Sequence, residues 1–207
     1  RQRVSDLLAS DAQVDQVEPQ GSLAAGTPDL YADIDLFAHL HPGVSDREFF
    51  SRLPGLMDTV GRRLIDGLSF AALPAYAGTF YFKGFPLLWH VDIGCIPADP
   101  RWHVDSKDLY TAKRWEQRFK MWIEAVKLLL RAEDDHARHE ARTTFNVYLS
   151  DMKQHVAKRM DVSSVGEDPR HALSTLLEME IAWHRAQGIR NEALFAACDS
   201  LRRSVLI

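Results

Sequence analysis

Asp33 and Asp35 stand two residues apart, just ahead of Leu36-Phe37-Ala38, which reads as a strand entering a core. Alternate residues of a strand share a face, so both carboxylates emerge together, with Cα atoms roughly 6.5 Å apart. Two carboxylates that close repel each other unless a cation sits between them. Oxygen-only donors suit Mg²⁺, which takes one or two carboxylates and completes its shell with water and substrate phosphates. Upstream, across ten intervening residues, Gly21-Ser22 precedes a short expected helix. Its backbone N–H groups and hydroxyl suit a phosphate. A phosphate cradle facing a metal cradle is what phosphoryl or nucleotidyl transfer requires. A third acid, Asp92, lies inside the apolar run Leu87-Leu88-Trp89-His90-Val91-Asp92-Ile93. A lone carboxylate in such a strand is costly unless it is paired or bound to metal.

Gly-Ser, a spacer of about ten residues and Asp-x-Asp together resemble the signature of the polymerase-β-type nucleotidyltransferase superfamily, whose third carboxylate falls on a later strand, as Asp92 does. The resemblance covers roughly residues 14–97. In size and layout the chain is similar to the small antibiotic-modifying adenylyltransferases acting on aminoglycosides and lincosamides, which confer antibiotic resistance. That resemblance implies an α+β fold: an N-terminal polymerase-β-like mixed sheet with flanking helices (1–100) and a C-terminal antiparallel helical bundle that binds the acceptor (101–207). It implies Mg²⁺-dependent transfer of a nucleoside monophosphate, with ATP the first expected donor, to a hydroxyl of a small molecule. Asp33 and Asp35 would hold two Mg²⁺ ions, and Asp92 the nucleophile-side ion. Asp92 is also the first candidate general base, ahead of Glu116 and Glu178. Gly21 and Ser22 would hold the β- and γ-phosphates. Lys83 would assist, although a lysine beside a turn is more often a solvated charge.

The chain departs from the family pattern in two places. Gln20 stands before Gly-Ser where an apolar residue is usual, and Ala25 precedes Gly26 where a basic residue is common. The latter removes one phosphate-side cation. Two alternatives stay open: a toxin-type transferase modifying tRNA or protein, and a catalytically inactive nucleotide-binding domain.

Composition narrows the partners. The 207 residues carry a formal charge of −4 with no long basic run, which weighs against a nucleic-acid binder and favours a small acceptor. Acids of the helical half, among them Glu116, Glu124, Glu178 and Glu180, would attract a cationic amino sugar or simply be solvated helix faces. The two cysteines, Cys95 and Cys198, lie far apart without metal or redox spacing, so a reduced cytoplasmic setting is expected. No apolar run approaches the roughly 20 residues of a membrane span. The first residue is Arg1 rather than methionine, so preceding residues are expected; no signal peptide is visible. A homodimer through the helical half is left open.

Periodicity supplies the elements that must position these groups. Residues 3–12 read as an amphipathic helix, and 14–18 as a strand closed by Pro19. Residues 33–40 read as the strand carrying the acids, and 46–61 as a helix capped by Ser45 and interrupted near Pro54. Residues 68–73 and 79–82 read as paired strands around Pro74, Tyr76 and Gly78, and 86–96 as the strand carrying Asp92. Beyond a boundary at 101–107 the period becomes helical, giving helices over 110–132, 134–160, 171–187 and 191–205. Two pairs invite a zinc reading, His39-x-His41 and His136-x-x-His139. Neither has further ligands at matching spacing, and both are expected at the surface. Trp102, Trp115, Trp122 and Trp183 are expected in the core, although one near a cleft would suit stacking on a base or sugar.

Overall fold

A computed structural model describes residues 2–65, 68–72, 75–98, 114–133 and 138–206, and among them the chain is α+β. It divides into two units, Arg1–Gln117 and Arg118–Ile207. The boundary expected at 101–107 lies outside the described residues, as do Trp102 and the run Asp134-Asp135-His136; nothing is described of the Trp115, Glu116 or His139 side chains.

In the first unit, Val4 and Leu8 of helix α1 (Gln2–Ala9) recur one turn apart and are buried. Five strands follow: β1 (Val14–Gln20), β2 (Ile34–Leu40), β3 (Leu68–Ala72), β4 (Ala75–Phe80) and β5 (Val91–Ile96). They form one mixed sheet in the order β1-β2-β5-β4-β3. Only β2 and β5 run parallel. A parallel pair needs a long crossover, which here contains α3 (Asp46–Asp58) and the β3–β4 hairpin. In β2, Leu36, Ala38 and Leu40 face the core while Phe37 and His39 point the other way, the period-two alternation of a strand with one covered face. Phe49, Leu53 and Met57 of α3 are fully buried in the same core.

Three proline- and glycine-based expectations fail for identifiable reasons. β1 does not end at Pro19: Pro19 pairs with Leu36 and Gln20 with Asp35. β1 is an edge strand, where one side carries no ladder bonds and a missing N–H is tolerated. Helix α3 runs unbroken through Pro54. Burial of Leu53 and Met57 on either side offsets the cost of the proline. Finally, β4 begins at Ala75, so Tyr76 and Gly78 lie within the strand. A Cβ on Gly78 would lie 3.0 Å from the Phe80 ring and 3.2 Å from Phe50, so glycine here makes room for α3.

The second unit contains most of α4 (Arg114–Glu133), with α5 (Arg138–Ala157), α6 (Pro169–Ala186), α7 (Glu192–Leu201) and a closing π-type turn, Arg202–Leu206. Asp168 caps α6 by accepting from the His171 amide, with Pro169 at the first helical position. Asn191 caps α7 through the Leu194 amide. Phe119, Trp122, Phe145, Leu173, Leu177 and Phe195 form the apolar interior. Among the described residues no helix is long and apolar enough to cross a membrane.

A buried charge sits inside this unit. Glu180 is 1 % exposed. It accepts from Arg159 Nη2 at 2.8 Å and Arg118 Nη1 at 3.4 Å, and lies 2.9 Å from His184 Nε2. The Arg159 guanidinium also lies 4.3 Å from the ring centre of Trp183, which is half-buried rather than fully in the core. Burial by itself would raise the Glu180 carboxyl; hydrogen bonds from His184 and Arg159, with the charge of Arg159, overcome it and hold the group at about 2. Glu180 is therefore not a solvated face, whereas Glu178 is exposed and pairs with Arg202 at 3.1 Å.

A depressed folded-state value contributes stability that is complete above the ordinary 4.5 and lost as pH falls through about 2. Acid unfolding followed by circular dichroism should show this loss between those values. Glu180→Gln should remove that component and cost on the order of 3 kcal/mol at neutral pH, because Arg159 and Arg118 lose their counter-charge.

Candidate active site

The site is assembled where β2 and β5 lie side by side. Their parallel register pairs Asp35 directly with Asp92, and the Ile34 amide donates to the His90 carbonyl at 3.0 Å. Neighbouring strands are ~4.8 Å apart, so residues paired across them carry side chains on the same face of the sheet. Asp33 stands one residue ahead of β2 rather than on it.

His90 joins the remaining acids. Its side chain is 2 % exposed; Nδ1 lies 3.0 Å from Asp33 Oδ1, and Nε2 lies 3.3 Å from Asp92 Oδ2. Tyr81 packs on the imidazole with ring centres 5.0 Å apart. The Thr79 hydroxyl, fully buried, donates to the other oxygen of Asp92. Antiparallel register puts Thr79 opposite Asp92 on β4. Both oxygens of Asp92 are thus held, and Asp33 is tied to the same imidazole.

Asp35 meets the Gly-Ser turn instead. Gly21 has φ +69, and a Cβ placed on it would lie 2.1 Å from Asp35 Oδ2. Only glycine tolerates both the left-handed backbone and that approach. Helix α2 (Gly21–Ala25) follows at once, closed by Gly26 with φ +73, whose amide bonds the Ser22 carbonyl. Ser22 is half-buried one residue from the contact. The structure thus sets Asp35 beside Gly21 and opposite Asp92 and links Asp33 to Asp92 through His90, with Ser22 next to Gly21 in sequence. Lys83 lies on an exposed turn, its amide bonded to the Arg62 carbonyl, and no described contact ties its side chain to the acids.

Among the described residues, no three His, Cys, Asp or Glu side chains surround a common point as a protein-only metal cage. Mg²⁺ does not call for one, since one or two carboxylates plus water and phosphate suffice, and the donors here are hard oxygens. His39 pairs with Glu18 at 2.9 Å and His41 with Asp15 at 3.5 Å, surface contacts between β1 and β2 or its end. Cys95 and Cys198 are unbonded and buried, and burial pushes both thiols up, so neither is an activated nucleophile.

Sequence reasoning missed His90 and Thr79. His90 carried a signal: it sits two residues before Asp92, the same spacing that links Asp33 to Asp35. Thr79 had none, because its role depends on cross-strand register. No family model matches this chain, and no curated protein matches it.

Gly21→Ala should destabilise the fold by about 1–2 kcal/mol for the left-handed backbone alone, and more through the contact with Asp35. In chemical denaturation, Gly21→Ala with Asp35→Ala should lose less than the two single losses added, because the second change removes the clash.

Proposed function

We propose that the chain is a Mg²⁺-dependent nucleotidyltransferase of the polymerase-β type, moving a nucleoside monophosphate, AMP from ATP first, onto a hydroxyl of a small molecule such as an aminoglycoside or lincosamide. The observation that carries this reading is the pairing of Asp35 with Asp92 across parallel strands while Gly21 packs against the Asp35 carboxylate. This juxtaposition of groups distant in sequence supports reading them as the phosphate side and metal side of one site. The α+β architecture, with its mixed sheet followed by long helices, agrees with it.

On this reading Asp33 and Asp35 would hold two Mg²⁺ ions together with water and substrate phosphates, and Asp92 would contact the nucleophile-side ion. Bound Mg²⁺ neutralises charge on the triphosphate and lowers the pKa of the acceptor hydroxyl. Ser22 and the Gly21 backbone hold the β- and γ-phosphates, and Lys83 has no assigned contact. The acceptor oxygen forms a bond to the α-phosphorus as the bond to the bridging oxygen of pyrophosphate breaks. The hydroxyl proton passes to a carboxylate, with Asp92 the first candidate. Thr79 and His90 fix the direction of that carboxylate, which lowers the cost of orienting it. The Glu180 carboxylate in the second unit is neutralised by its own arginines, so it is not a lure for a cationic acceptor. Two buried, unbonded cysteines fit a reducing cytoplasm.

The decisive experiment is pyrophosphate release with Mg²⁺, each of the four nucleoside triphosphates, and a panel of aminoglycosides and lincosamides. Acceptor-dependent release is expected. Asp33→Asn and Asp92→Asn should each reduce it by at least about 100-fold, the scale of a lost transition-state charge contact. Release only with added tRNA or protein would change the acceptor class. No release, with no thermal shift from Mg-ATP, would sink the enzyme reading.

A further inference from the structure

A cavity of about 370 Å³ opens in the first unit beside the acids, lined by Leu23, Pro28, Leu30, Ile34, Trp89 and His90. Ligand pockets start at about 300 Å³ and are mostly apolar with few polar groups, and this cavity has that size and character. Trp89 is 52 % exposed and Leu30 81 % exposed, a pair of large apolar side chains left open to solvent. The indole is nevertheless held in place: its N–H donates to the Leu30 carbonyl at 3.0 Å, which fixes the ring and leaves its face available. The cavity adjoins the candidate active site at His90. Leu23 directly follows Ser22, Ile34 lies between Asp33 and Asp35, and His90 is the residue that contacts Asp33 and Asp92.

Its chemistry selects among ligands. The acid in the described lining is Asp29, and one of its oxygens accepts from the Tyr31 amide at 2.8 Å. Apart from Asp29 and His90 the described lining is apolar, so a polycationic amino sugar would meet a single acid in the lining. A planar aromatic ring, by contrast, would find a fixed indole to stack on and aliphatic walls around it. Every nucleobase has a π-face, and stacking of a base on an aromatic side chain is tolerant of base identity. The volume suits a nucleoside and is too small for a folded chain segment.

We propose that this cavity holds the base of the nucleotide donor, with a purine stacked on Trp89. The choice of a nucleoside rests on the transferase reading; the aromatic platform rests on the cavity alone.

The test is calorimetric titration of adenosine in EDTA, with ribose 5-phosphate and kanamycin as comparison probes. Wild type should bind adenosine without metal, because no phosphate is involved. Trp89→Ala should weaken that binding by about tenfold or more, the size expected for one lost base stack, and Trp89→Phe should keep most of it. Thermal unfolding verifies that both variants fold, and the Phe variant keeps the test decisive if the Ala variant does not. Absence of adenosine binding to wild type, equal binding by Trp89→Ala, or Trp89-dependent binding of kanamycin instead would overturn the proposal. If pyrophosphate is released and Trp89→Ala leaves KM for ATP unchanged, the pocket assignment fails while the transferase reading stands. If adenosine binding depends on Trp89 and pyrophosphate is never released, the pocket stands and the transferase reading falls.

Discussion

The parallel pairing of β2 with β5 sets the terms for everything around it. It fixes Asp35 and Asp92 as register partners, with Asp33 one residue ahead of β2. Two carboxylates at the ~5 Å spacing of neighbouring strands repel by about 3 kcal/mol at an effective dielectric of about 20. The local structure answers that repulsion group by group. Thr79 donates a hydroxyl to Asp92, His90 lies between Asp92 and Asp33, and Asp35 is turned against Gly21. Gly21 accepts this contact because it has no side chain.

The two units handle buried charge in opposite ways. Glu180 is enclosed with counter-ions from α4 and the turn after α5 and is held ionised by them, so its role is internal. The acids of the first unit are partly open, with Asp33 and Asp92 at 15 % and 28 % side-chain exposure. Partly open acids, unlike an enclosed one, are within reach of a ligand. The exposed indole of Trp89 adds the second ingredient of a ligand site, an apolar surface next to the polar one.

Sequence alone determined the coarse architecture and the chemical alphabet. A period of two gave way to one near 3.6, which announced a sheet followed by long helices because each geometry buries its apolar residues at a different spacing. Gly-Ser, Asp-x-Asp and the lone Asp92 in an apolar run named the candidate groups. Local rules failed where tertiary context outweighed them: at Pro19 because β1 is an edge strand, at Pro54 because Leu53 and Met57 are buried, and at Gly78 because Phe50 needs the space. Only the tertiary structure decided which residues meet. The pairing of Asp35 with Asp92, the approach of Thr79 across β4, the contact of Gly21 with Asp35 and the cavity at Trp89 all follow from strand order and register. Those are long-range choices, and a linear pattern of residue types does not encode the distance between groups that come together only when the sheet closes.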